Sequence, residues 1–81
     1  MNTEQARAAL VEVLGRIAPE VDLADVAGDA DYRDELDLDS MDFLGIVEGL
    51  KETTGVDVPE SDYEQVQTLD GLLGYLVAHT A

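Results

Sequence analysis

The 81-residue chain has no cysteine and no tryptophan, and only one histidine, two prolines and four basic residues. Without cysteine it has no disulfide framework, no thiolate metal site and no thiol nucleophile, so any sulfur chemistry must arrive on a cofactor. Four Lys and Arg against nineteen Asp and Glu leave a net charge of −15. That charge repels nucleic-acid phosphates and anionic headgroups, and the partners expected on this ground are basic protein surfaces. No run of about eighteen apolar residues is available to cross a membrane. The segment Met1 to Leu10, interrupted by Glu4 and Arg7, lacks the apolar stretch of a signal peptide. The expected address is the cytoplasm. Length permits one small core, and residues 1–81 are read as a single domain.

Hydrophobic residues make up 46% of the chain, near the globular average, and they are patterned. Ala6, Leu10, Val13, Leu14 and Ile17 mark one face of a first helix, started by Asn2 or Thr3 and ended by Pro19. From Pro19 to Asp39 runs a long connection whose Val21, Leu23, Val26, Tyr32, Leu36 and Leu38 keep no sustained period. They are expected to pin it to the core, and a loop of this length is more often functional than filler. A second helix reads from Asp39, its cap, to Thr53, with Gly55 as its stop. Its Met41, Phe43, Leu44, Ile46, Val47 and Leu50 are too many for one stripe, so some apolar surface should stay exposed. Val56-Asp57-Val58 has no second alternating run to pair with and is read as loop. A short third helix is expected with Pro59 at its first position and Glu60 and Asp62 in its first turn. Thr68 caps a fourth, in which Leu69, Leu72, Leu73, Leu76 and Val77 follow helical spacing. The expected fold is an all-α four-helix bundle with a long loop between helices one and two.

Candidate chemistry narrows quickly. His79 lies three residues from the chain end, a poor place for a catalytic base, and reads as an exposed terminal residue. Gly45, Gly49, Gly71 and Gly74 sit inside helical patterns and form no phosphate loop. A calcium loop counted from Asp37 finds Asp39 and Glu48 in place, but it puts Met41 at a ligand position and Asp42 where glycine is required. No metal site follows, and the chain does not read as an enzyme. What remains is charge and one serine. Residues 19–42 hold ten acids against one base, Arg33, and these acids converge on Asp39-Ser40-Met41-Asp42. If Asp39 is the cap, the Ser40 hydroxyl is not needed for capping and projects at the positive end of the helix, where a phosphate would meet free N–H groups.

At these residues the sequence resembles the acyl carrier proteins. The likeness runs along nearly the whole chain: an amphipathic first helix, a long loop, Asp39-Ser40-Met41-Asp42 opening the second helix, Gly55-Val56-Asp57-Val58-Pro59 closing it, and Thr68-Leu69 starting the last. The resemblance implies a carrier domain in which Ser40 receives 4′-phosphopantetheine from coenzyme A. The donor enzyme would be a magnesium-dependent phosphopantetheinyl transferase, the holo-carrier synthase, whose basic surface grips the second helix. The thiol on the arm then holds an acyl group as a thioester, supplying the sulfur the polypeptide lacks. Partners would be that transferase and the acyl-transferring and chain-elongating enzymes of fatty-acid, lipid or related synthesis, meeting a monomeric carrier.

Carried over by position, Asp39 is the motif acid, and Asp37, Met41, Asp42, Phe43, Val47, Glu48 and Glu52 are candidates for partner recognition. Leu44, Ile46, Val47, Leu50, Val58, Tyr63, Leu69, Leu72, Leu73 and Leu76 are candidates for the acyl pocket or the core. Phe43 stands where the family is usually small or polar, Gly45 replaces a common recognition acid, Glu48 replaces a frequent exposed apolar residue, and Asp37 replaces a glycine. These departures point to a specialised carrier rather than the housekeeping one. Gly45 and Gly49 each cost a helix about 1 kcal/mol relative to alanine, so either a neighbour approaches closely or the helix is pliable. A pliable helix would admit long or bulky chains, and thermal stability would then rise with acyl length. Two alternatives stay open: an aminoacyl, D-alanyl or polyketide carrier of the same fold, and an unmodified acidic interaction module in which Ser40 merely begins a helix.

Overall fold

The computed structural model describes residues 1–80. Helix α1, Thr3–Ile17, opens with a reciprocal cap: the Asn2 side chain accepts from the Gln5 N–H at 2.8 Å, and the Gln5 side chain accepts from the Asn2 N–H at 2.9 Å. It buries Ala6, Ala9, Leu10, Val13 and Leu14 and ends at Ala18, ahead of Pro19. Helix α2, Tyr32–Glu35, is a single turn within the long connection. Helices α3, Ser40–Thr54, and α4, Leu69–His79, complete the bundle, with α1 packed against both. Gly55, at φ 78°, closes α3 in the left-handed conformation that glycine adopts freely, as its sequence position predicts. Thr68 caps α4 through Oγ1, which accepts from the Gly71 N–H at 3.0 Å. The all-α bundle read from the sequence is the observed one, and no strand forms among the described residues.

Two details differ from that reading. The connection carries a 3-10 turn, Leu23–Asp25, besides α2, and neither is long enough to show a hydrophobic period. The third helix, Glu60–Val66, is 3-10 rather than α, and Pro59 precedes it in extended conformation (φ −70°, ψ 156°) instead of occupying its first position. Its end is tied down from the loop: Tyr32 is fully buried and its hydroxyl donates to the Val66 carbonyl at 2.7 Å. Burial pushes the Tyr32 phenol above its ordinary pKa, so it stays a donor. The loop also laces onto the start of α4, whose Leu69 and Asp70 N–H groups donate to Ala30 and Gly28 carbonyls at 3.2 and 2.8 Å. As expected, Leu23, Val26 and Tyr32 are buried, and Val21, Leu36 and Leu38 pack half-buried against the core.

The core forms where α1, α3, α4 and the 3-10 helix meet, and its fully buried side chains include Leu10, Val13, Ile46, Leu50, Val66, Leu69, Leu72 and Leu76. Between the two explanations for the α3 glycines, the structure selects close approach. A Cβ at Gly49 would stand 2.7 Å from Val13 Cγ1, and one at Gly45 would stand 3.2 Å from Ile17 Cδ1. Lacking side chains at both positions, α3 lies directly against α1.

Candidate functional site

The site begins at a turn. After Glu35 the chain leaves α2 through Asp37, whose φ of 57° is the sole positive value at a non-glycine among the described residues. The Asp37 N–H donates to the Asp34 carbonyl at 3.3 Å and the Leu38 N–H to the Arg33 carbonyl at 2.8 Å. These two bonds are the Schellman pattern that ends a helix and redirects the chain, and they explain why glycine would suit this position. Asp37→Gly is therefore expected to stabilise the fold by about 0.5 kcal/mol, because relief of the left-handed strain outweighs the greater freedom of the unfolded glycine. The change should read as a Tm raised by roughly 2–4 °C; an unchanged or lower Tm would show that Asp37 sits there without strain.

Two residues on, Asp39 caps α3. Its carboxylate accepts from the Asp42 N–H at 2.8 Å, and the Asp42 carboxylate accepts from the Asp39 N–H at 3.3 Å. Two carboxylates thus accept reciprocally from backbone N–H donors at the positive end of the helix dipole. Ser40 is the first helical residue, exposed, with its hydroxyl uncommitted to any hydrogen bond. Beside it opens a cleft of about 410 Å³ lined by Asp31, Arg33, Asp34, Leu38, Asp39, Ser40, Phe43, Leu44 and Tyr63, within the size range of small-molecule sites.

One wall of the cleft is charged. Arg33 donates from Nε and Nη2 to the Asp31 carboxylate at 3.3 and 3.2 Å. That hydrogen bonding holds Asp31 below the usual carboxylate range and raises Arg33 further. The Arg33 guanidinium lies over the Phe43 ring, 5.0 Å from its centroid, in cation–π range. From another side Tyr63 meets Phe43 edge-on, with ring centroids 5.0 Å apart and planes at 89°. Tyr63 rides on the 3-10 helix, whose Asp62 accepts a 2.6 Å hydrogen bond from the Tyr75 hydroxyl of α4. This bond, chiefly, pushes the Tyr75 phenol up to about 12.

The structure sorts the recognition candidates into two groups. Asp37, Met41, Glu48 and Glu52 are exposed and Asp42 is half-buried, so all five are open to a partner. Phe43 and Val47 are not: at 5% and 6% exposure they belong to the buried stripe Phe43, Ile46, Val47 and Leu50 of α3. Their spacing of three and four residues puts both on the core face, which removes them from any docking surface. Leu44 is the converse case, 44% exposed on the face it shares with Ser40 and Met41, and so rims the cleft instead of filling the core. Together with Met41, at 76%, it accounts for the apolar surplus of this helix. Ile46, Leu50, Val58, Leu69, Leu72, Leu73 and Leu76 are buried, and Tyr63 is half-buried in the cleft wall. His79 stacks on Tyr75 in the last turn of α4 and does not line the cleft. Sequence reasoning missed Asp31, Arg33, Asp34 and Leu38 as cleft residues; the available signal was Arg33, the lone base among ten acids.

A free hydroxyl at the mouth of a helix, open to solvent on one side and to a cleft on the other, suits covalent attachment of a phosphate-linked arm. As the first residue of α3 it stands at the positive end of the helix dipole, a favourable field for a phosphodiester. Such an arrangement is able to carry a prosthetic group at a surface serine. Residues 4–76 match the family described as the phosphopantetheine attachment site. The chain is also similar to an acyl carrier protein of Lactobacillus johnsonii, 32% identical over 59 residues that cover 73% of this chain and 74% of the relative. To an acyl carrier protein of Rubrobacter xylanophilus it is 30% identical over 59 residues, 73% of each chain. The chain belongs to the acyl carrier protein family, and its cofactor is a covalently attached 4′-phosphopantetheine.

Proposed function

We propose that Ser40 is the attachment point and that the protein, one carrier domain over residues 1–81, presents acyl groups as thioesters on the arm to biosynthetic enzymes, with no catalytic step of its own. The observation that carries this reading is the uncommitted, exposed Ser40 hydroxyl on the first residue of α3. Exposed Asp34, Glu35, Asp37 and Asp39 on the approach to Ser40, with Glu48 and Glu52 two and more turns further along α3, form the acidic surface that would steer a phosphopantetheinyl transferase and later enzymes with basic faces. Met41 and Leu44 supply an apolar contact at the centre of that surface. Such docking suits a monomer working in the cytoplasm. The departures at Phe43, Gly45 and Glu48 support a specialised carrier.

Incubation with coenzyme A, Mg²⁺ and a broad-specificity phosphopantetheinyl transferase, followed by intact mass measurement, tests the attachment. The expected result is a gain of one phosphopantetheine in the wild type and none in Ser40→Ala. No gain, or an equal gain in the variant, would refute the reading.

A further inference from the structure

We propose that the cargo of this carrier rests in the surface cleft beside Ser40 and is kept out of the core by the Phe43–Tyr63 pair, which makes the protein a carrier of short acyl groups. The inference rests on the carrier reading and adds the size of what is carried. Phe43 stands one turn from Ser40 on α3 and forms the cleft floor, only 5% exposed. It is held on two sides, by the Tyr63 ring edge and by the Arg33 guanidinium, each 5.0 Å from its centroid. Neither holder is loose. Arg33 is hydrogen-bonded through two nitrogens to Asp31, and the 3-10 helix bearing Tyr63 is fixed by Tyr75 to Asp62 and by Tyr32 to Val66.

Beneath this cover the core offers nothing to enter. Ile46, Leu50, Leu72 and Leu76 have no solvent exposure at all. Two further clefts, at Val11–Leu23 and at Val13–Glu52, are surface grooves whose linings do not include Ser40. An alkyl chain reaching the interior would have to displace both aromatic rings and break the cation–π contact. A short chain needs none of this, because Leu38 and Leu44 already line the cleft with apolar surface outside the cover.

Holo-protein loaded with acetyl, butyryl, octanoyl and dodecanoyl groups would decide the matter, using Tm and the methyl NMR signals of Ile46, Leu50, Leu72 and Leu76. In the wild type, shifts are expected at Leu44 and Tyr63 that saturate at butyryl, with core methyls unmoved and Tm constant within about 1 °C across the series. In Tyr63→Ala, and in Phe43→Val where it folds, the core methyls should move with the longer chains. Tm should then climb by about 4 °C or more from acetyl to dodecanoyl as buried chain stabilises the native state. A wild type whose Tm and core methyls respond to chain length overturns the proposal, as do variants that stay as indifferent as the wild type. Failure of the arm to attach at Ser40 is a separate result, which sinks the carrier reading itself before any cargo is compared.

Discussion

Gly49→Ala is expected to destabilise the protein by about 1–2 kcal/mol, while Gly45→Ala, one turn away on the same helix, is expected to be neutral or mildly stabilising. Both changes gain up to about 1 kcal/mol in helix propensity. At Gly45 the new methyl would meet only the Cδ1 end of Ile17, at 3.2 Å, and that flexible terminus can swing aside. At Gly49 it would press on Val13 from 2.7 Å. Val13 is 1% exposed and β-branched, so it has neither room nor an alternative rotamer to use. Overpacking of this kind costs about 1–3 kcal/mol, which exceeds the propensity gain. For a domain of this size each kcal/mol moves Tm by roughly 4–8 °C, so the two variants should separate clearly in a melting experiment. Equal stabilisation of both would mean that α1 and α3 are held less tightly than their geometry indicates.

The second large effect is expected from Tyr32→Phe. The ring keeps its shape, so the void is no larger than one oxygen atom and the loss is chiefly that of one O–H. That hydroxyl is the donor to the Val66 carbonyl at 2.7 Å, in a place where Tyr32 and Val66 are both fully buried. A buried acceptor deprived of its donor destabilises by about 1–3 kcal/mol. The damage should be local as well as global. Amide exchange should accelerate over residues 60–66, where the tether is lost, more than in α1, which carries neither partner of the bond. Acceleration spread evenly over the chain would show that the bond acts only on global stability.

The sequence made the ends of the main helices legible because capping chemistry is local. Asp39, Gly55 and Thr68 each act within a few residues of themselves, and each caps or stops its helix where the sequence predicts. Ser40 was legible for the same reason, since its freedom follows from Asp39 being the cap. The facing of α3 was harder. Phe43 and Leu44 are adjacent, both apolar, and lie on opposite sides of the buried boundary, and with apolar residues at six positions the period alone could not place that boundary. Short elements gave no period: α2 has four residues, and the 3-10 character of Glu60–Val66 depends on where Tyr32 and Tyr75 hold it. The cleft was invisible for a related reason, because Arg33, Phe43 and Tyr63 are separated by ten and twenty residues along the chain and meet only in the fold. The paired glycines posed the right question, but only the position of Val13 answers it.

The distribution of the tyrosines has a practical consequence. The chain has three tyrosines and no tryptophan, and all three bear on the segment 60–66: Tyr32 bonds its last residue, Tyr75 bonds Asp62, and Tyr63 is part of it. Ultraviolet emission from this protein therefore comes from three rings that all contact or belong to this one segment, with Tyr63 alone lining the cleft. The molecule thus carries its own optical reporter of the segment 60–66, so the response of that segment to each enzyme and each cargo can be followed without attaching a label.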